Sequence, residues 1–279
     1  MTPREPITPR EHRPGRSGPQ GMITRGTTNP NRLRRVDRWL AGPQAYRLRR
    51  SGDPVVVDLG YGATGVTAVE LHNRLRRVRP DVQVIGIEID AERVRSALDL
   101  QRPGLTFITG GFELPLPDGR RPTVVRAFNV LRQYPEADVA PAWALVRSRL
   151  APGGLLVDGT CDELGRRSAW IAVDAEAGPL SLTLSLRLAG LDRPGEVAER
   201  LPKALIHRNV PGEPVHRYLS ALDAAWERTV VLAPFGARQR WLAMVRTMVA
   251  EGWPILDGPA RWRLGEVSVR WSSVAPNPA

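Results

Sequence analysis

The chain reads as an α/β protein: a doubly wound, largely parallel sheet with helices on both faces, followed by a C-terminal helical extension with a closing strand. Three observations predict this. Short β-branched runs alternate with segments of helical period across residues 51–190. The first run, Val55-Val56-Val57, closes on Asp58 and breaks into a glycine turn, Gly60-Tyr61-Gly62-Ala63-Thr64-Gly65. Beyond residue 190 the apolar residues recur mainly at helical spacing.

Residues 1–24 contain Pro3, Pro6, Pro9, Pro14 and Pro19, several arginines and almost nothing apolar. Such a segment cannot offset its ordering entropy, so a disordered basic tail is expected. Residues 25–50 predict a helical lid. Asn29-Pro30 gives an N-cap followed by proline, Leu33, Val36 and Leu40 share one face, and Arg32, Arg34, Arg35 and Arg38 occupy the others before Gly42-Pro43 stops the helix. A helix placed just before the first strand is expected to lie across the site.

The strand from Val55 enters the glycine turn and then an apolar-periodic helix carrying Val66, Val69, Leu75 and Val78. A second strand at 82–88 ends on Glu88, with Asp90 capping the next helix and Glu92 in its first turn. A third at 106–109 runs into Gly110-Gly111-Phe112-Glu113-Leu114-Pro115. A fourth at 123–128 ends in Asn129-Val130-Leu131 and leads to a helix over 135–150. Gly153-Gly154 then starts a fifth strand, 155–158, ending on Asp158. From there a hairpin is expected, 169–173 with 180–186, then helices near 197–206, 215–226 and 238–250, and a closing strand at 267–271. Five of the eight tryptophans lie after residue 220, where their expected job is to pack this extension, residues 191–279, onto the 51–190 core.

At 279 residues there is room for one full α/β domain and a substantial extension. Cys161 is the only cysteine, which excludes an intramolecular disulfide, and no Cys/His cluster offers a metal site; a reducing cytoplasm is the expected location. No apolar run is long enough for a membrane span, and the N-terminal stretch lacks the apolar core of a signal peptide. The formal charge of +11 is uneven: residues 1–50 hold twelve arginines and three acids, a net +9, which leaves +2 for the remainder. A basic enzyme body is not indicated.

The glycine turn marks the ligand. Glycine permits both positive φ and close approach of backbone N–H groups to a bound group at the helix N-terminus. Gly60-x-Gly62-x-x-Gly65 also fits the dinucleotide pattern, but an acid two residues before the first glycine would repel a pyrophosphate. Asp58 instead suits a ligand carrying an ammonium. No Gly-Lys-Ser/Thr sequence is present, which excludes the P-loop NTPases. Ligands of open α/β sheets bind at the carboxyl ends of the strands, and Asp58, Glu88, Gly111, Asn129 and Asp158 are expected to collect there.

On these residues the chain resembles the class I S-adenosylmethionine-dependent methyltransferases, over about residues 53–187. Val55 to Gly65 is similar to the family's acid-x-Gly-x-Gly motif, and Ile85-Gly86-Ile87-Glu88 to its second-strand acid. The stretches 107–115 and 150–154 resemble the third-strand motif and the approach to the fifth strand. The resemblance implies a Rossmann-like core and S-adenosyl-L-methionine as cofactor. Gly60, Gly62 and Gly65 would shape the methionine turn, Asp58 would meet the ammonium, Glu88 would hold the ribose, and Gly111 and Phe112 would flank the adenine.

Asn129 would stand where methyl meets acceptor, and Asp158 is the leading candidate base, ahead of Asp162, Glu163, His207 and His216. Cys161 has no evident base partner. The chain departs from the family at Gly111, where an acid often accepts from the adenine amino group, and 129–131 lacks the Asn-Pro-Pro-Tyr signature of amino-methylating nucleic-acid enzymes. The implied activity is transfer of a methyl group by in-line displacement to a small-molecule acceptor. The alternatives are RNA methylation guided by the basic tail, a non-catalytic module that senses the cofactor and, more distantly, a dinucleotide oxidoreductase.

Overall fold

The computed structural model describes residues 18–278, so most of the expected tail lies outside the described residues. Eight strands form one sheet: β1 (Val55–Leu59), β2 (Gln83–Glu88), β3 (Leu105–Thr109), β4 (Val124–Phe128), β5 (Leu155–Cys161), β6 (Arg167–Asp174), β7 (Gly178–Leu186) and β8 (Glu266–Arg270). Their order is β3-β2-β1-β4-β5-β6-β7-β8. The first five pair parallel and the last three antiparallel. The winding direction reverses between β1 and β4, which opens a crevice at their carboxyl ends.

The helices are α1 (Arg34–Ala41), α2 (Ala45–Arg50), α3 (Val66–Leu75), α4 (Ala91–Ala97), α5 (Val139–Arg149), α6 (Lys203–Ile206), α7 (Pro214–Arg228), α8 (Ala237–Ala250) and α9 (Pro259–Trp262). Alternation along the strands sorts them onto two faces. Val55, Val57 and Leu59 pack with residues of α5, α7 and α8, while Val56 packs with residues of α1 to α4. None of the described helices is long and apolar enough to cross a membrane.

Three expectations change. The predicted lid helix does not cross the site: Asn31 adopts a left-handed φ of 58°, the helix begins only at Arg34, and Val36, Trp39 and Leu40 bury it against the sheet face. The fifth strand runs three residues past Asp158 to Cys161, because β6 pairs with it along that whole length. The helix expected near 197–206 is a 3-10 stretch, Pro194–Arg200, and the short α6, separated by Leu201-Pro202. The extension is joined to the core by β8, which pairs with β7, and by the fully buried Trp226 and Trp241.

Candidate functional site

The crevice is built at the carboxyl ends of β1 to β4. Val55 to Leu59 are buried as a continuous strand, and Gly60 (φ 66°) and Gly62 (φ 87°) then turn the chain into α3. A Cβ at Gly60 would lie 2.6 Å from the Val130 side chain, and one at Gly62 would lie 2.6 Å from Thr28 Oγ1. Asp58, Gly60, Gly62, Arg32 and Asn129 line one part of the crevice; Gly60, Glu88, Gly111, Phe112 and Tyr134 line the other. Gly65 is not in the lining: it sits at the start of α3 against the Phe107 ring, where a side chain would separate helix from sheet.

Asp58 is more constrained than its sequence position implies. Arg126 of β4 is its lateral neighbour across the sheet and projects to the same face. Its Nε donates to Asp58 Oδ1 at 3.0 Å and its Nη2 to Oδ2 at 2.6 Å, while Thr67 Oγ1 donates to Oδ2 at 2.8 Å. The same guanidinium also pairs with Asp37 of α1, which Arg74 contacts at 2.7 Å. All three members of this Asp37–Arg126–Asp58 cluster are buried. Burial pushes the Asp37 carboxyl above its usual range against the pull of Arg126 and Arg74. The expected free carboxylate for an ammonium is therefore a carboxylate already shared with a guanidinium.

Glu88 is buried at the end of β2. Its Oε2 accepts from the Gly62 amide at 2.9 Å and its Oε1 from the Ile89 amide at 3.0 Å. Arg93 Nη1, 3.6 Å from Oε1, is buried without a hydrogen-bond partner among the described residues. At the end of β3 the Gly111 amide donates to Glu113 Oε1 at 2.9 Å. The turn after β3 thus brings the Glu113 carboxylate back over the strand end, beside Gly111. Phe112 is buried against Tyr134, edge to face at 5.4 Å between ring centroids.

Asn129 follows β4 in the left-handed region (φ 60°), a conformation asparagine tolerates better than most residues. Its amide donates to Gly159 O at 2.7 Å, and its side-chain Oδ1 accepts from the Cys161 amide at 3.1 Å. Burial, the largest influence, raises the Cys161 thiol above its usual range. A protonated thiol at that position is no nucleophile.

Asp158 is the clearest correction. Its strand parity turns it to the α5 face, where Trp143 Nε1 donates to Oδ2 at 3.0 Å, and it lines neither part of the crevice. Burial pushes its carboxyl up to about 7. The other candidate bases are also elsewhere. Asp162 caps its own turn through the amides of Leu164, Arg166 and Arg167, Glu163 faces Arg200, His207 contacts Lys203, and His216 lines a separate hollow on α7.

Residues 20–28, assigned in sequence to the tail and lid, lie across the crevice as an extended segment. Gln20 N donates to Glu113 Oε2 at 2.7 Å and Gln20 O accepts from the Phe112 amide at 2.9 Å. Further along, Met22 N donates to Tyr134 Oη, Arg25 N to Gln133 Oε1, and the Ala63 amide to Gly26 O. Proline and arginine composition gave no sign of this, since the segment's own backbone makes the contacts. Arg32, expected on a solvated face, is buried and lines the crevice, with its guanidinium donating to the carbonyls of Thr27, Cys161 and Asp162.

Fold and crevice together define a doubly wound, Rossmann-like α/β protein with a crevice at its topological switch point. No family model matches the chain, and no curated protein matches it either. Solved structures with a similar fold include magnesium protoporphyrin IX methyltransferase from Synechocystis PCC 6803, crystallised with bound SAH, at 18% identity and a TM-score of 0.36 over 46% of this chain and 54% of that one. They also include the YcgJ protein from Bacillus subtilis, at 21% identity and 0.34 over 44% and 51%. A third is an S-adenosylmethionine-dependent methyltransferase from Mesorhizobium loti, at 24% identity and 0.32 over 42% and 52%. The matched region spans about half of each solved chain, and the likeness is one of fold.

Proposed function

We propose that the crevice binds S-adenosylmethionine and that the chain is a class I methyltransferase acting on a small-molecule acceptor. The observation that carries this reading is the hydrogen-bonding frame at the strand ends: the Phe112 amide and the Glu113 carboxylate side by side, with Glu88 one strand away. The frame holds the backbone of Gln20 through its C=O, an acceptor, and its N–H, a donor. The ring nitrogen and amino group of an adenine edge present the same alternation. Glu88 is then placed for two ribose hydroxyls, with Arg93 Nη1 free to turn to a new partner. Arg32 and the shared Asp58 carboxylate supply opposite charges for an amino-acid end.

When bound, the cofactor supplies an electrophilic methyl group on a sulfonium, and its displacement needs alignment more than acid–base help. The residues at the crevice agree with such sparse chemistry. Asn129 orients the end of β4 by tying it to β5, and no described histidine lines the crevice. Asp158, protonated up to about pH 7 on the other face of the sheet, takes the role of a core residue.

A small acceptor is favoured because only +2 of the net charge lies outside residues 1–50. RNA is the second acceptor class, with the arginines of residues 1–24 supplying phosphate contacts. The test follows methyl transfer from labelled cofactor into total RNA and into a small-molecule extract. Label in the extract alone supports the proposal, and label in RNA that disappears at high salt overturns the choice of acceptor. Label in neither, with S-adenosylhomocysteine binding intact, identifies a module that senses the cofactor.

A further inference from the structure

We propose that residues 20–28 form an intrasteric strap, which seats in the cofactor crevice as a backbone mimic of the ligand and must leave before the cofactor binds. The proposal rests on the cofactor reading above and adds its regulation. The strap covers the ends of β3, β2 and β1 in turn, and it takes the groups that the cofactor needs. Gln20 uses the Phe112 amide and the Glu113 carboxylate. Thr24 O accepts from Arg93 Nη2 at 2.8 Å, on the guanidinium beside Glu88. Gly26 O accepts from the Ala63 amide at 2.8 Å, inside the glycine turn, and Thr28 Oγ1 reaches Tyr61 O at 3.1 Å.

Space gives the same answer. Beneath the strap the crevice retains only cavities of about 40 and about 20 Å³. These suit a few waters and exclude a nucleoside. Strap and cofactor are therefore alternative occupants of one site.

The strap is built to seat and to release. Gly21 (φ 143°) and Gly26 (φ 71°) allow its backbone to lie flat. A Cβ at Gly21 would fall 2.8 Å from Tyr134 Oη, and one at Gly26 would fall 2.6 Å from the Arg93 guanidinium. The hold is chiefly polar. Met22 and Ile23 are 48% and 64% exposed, so the strap buries few apolar groups to offset the ordering of its backbone. An occupant held in this way is displaced by a ligand that satisfies the same donors and acceptors and also buries an aromatic base. Its presence lowers the apparent affinity by the fraction of molecules in which the crevice is open.

The experiment combines calorimetry with S-adenosylhomocysteine and hydrogen exchange, on the full chain, on the double variant Gly21→Val/Gly26→Val, and on a chain lacking residues 1–28. The expected result is binding about tenfold or more tighter in both altered chains. In the full chain, the Met22, Arg25 and Ala63 amides are protected without ligand. On saturation Met22 and Arg25 lose protection, while Phe112, passed from strap to ligand, keeps it. Equal affinity in all three chains, with Met22 and Arg25 still protected at saturation, overturns the strap and leaves the cofactor reading standing. No binding to any of the three, with the altered chains folded by circular dichroism, overturns the cofactor reading and this proposal with it.

Discussion

Arg126 holds both carboxylate oxygens of Asp58, through Nε at 3.0 Å and Nη2 at 2.6 Å, from a position 68 residues away in sequence. Because its Nη1 simultaneously pairs with Asp37, one buried guanidinium ties the first strand's acid to α1. The acid at the mouth of the glycine turn is thereby fixed in place before any ligand arrives.

Arg126→Met should destabilise the fold by about 3–5 kcal/mol at neutral pH, since it leaves two buried carboxylates without their shared cation. The Asp37 carboxyl, already pushed up by burial, then loses the cation that pulls it down most, so the loss should shrink as pH falls from 7.5 to 5. Urea unfolding at the two pH values checks this. A loss at pH 7.5 within the surface-pair range of about 0–1 kcal/mol would show that the cluster is not holding α1 to the sheet.

Glu88→Gln should weaken S-adenosylhomocysteine binding by about 1–3 kcal/mol, because charge-assisted bonds to the ribose become neutral ones. The glutamine keeps the shape and one acceptor for the Gly62 and Ile89 amides, so the melting temperature should fall less than for Glu88→Ala. An unchanged dissociation constant would place the ribose elsewhere.

Asp158 gives a pH dependence of definite sign. Its carboxyl is raised from 3.8 to about 7 by burial, so the folded state binds the proton more tightly than the unfolded state. Its contribution is fully present below pH 3.8 and is lost as pH rises through about 7. Asp158→Asn removes this loss while an amide oxygen still accepts from Trp143 Nε1. The variant should gain on the order of 2–4 kcal/mol over the parent at pH 8 and almost nothing at pH 4. Thermal melts across that range test it, and a variant less stable than the parent at pH 8 would show an ionised, well-solvated Asp158.

Removal of residues 1–19 should leave the melting temperature within about a degree, since that sequence offers almost no apolar surface to the body. A drop of several degrees would mean that the segment docks.

The alternation of β-branched runs with helical periods is enough to order the strands, because the signal depends on residues within a few positions of one another, whereas the short α2 and α9 are not expected from it. The glycine turn after Val57-Asp58, the acid at Glu88 and the asparagine at 129 were legible for the same reason: a strand end is a local event, and the switch point gathers such ends. That a turn returns the Glu113 carboxylate to the Gly111 amide is something spacing along the chain does not reveal.

What the tertiary structure alone decided is which long-range neighbours these local features meet. Asp58 is an acid in any reading of the sequence, but that Arg126 pairs with it depends on β4 lying beside β1 with both side chains on one face. Sequence alone puts Asp158 at the ligand edge, where the apolar run of its strand ends. Pairing with β6 extends β5 to Cys161, and strand parity turns the acid toward Trp143. Residues 20–28 read as a tail and the start of a lid because they bury little, yet backbone hydrogen bonds to Glu113, Tyr134 and Gln133 hold them. Composition records apolar surface and charge; every peptide carries the same N–H and C=O, and only the fold determines where they find partners.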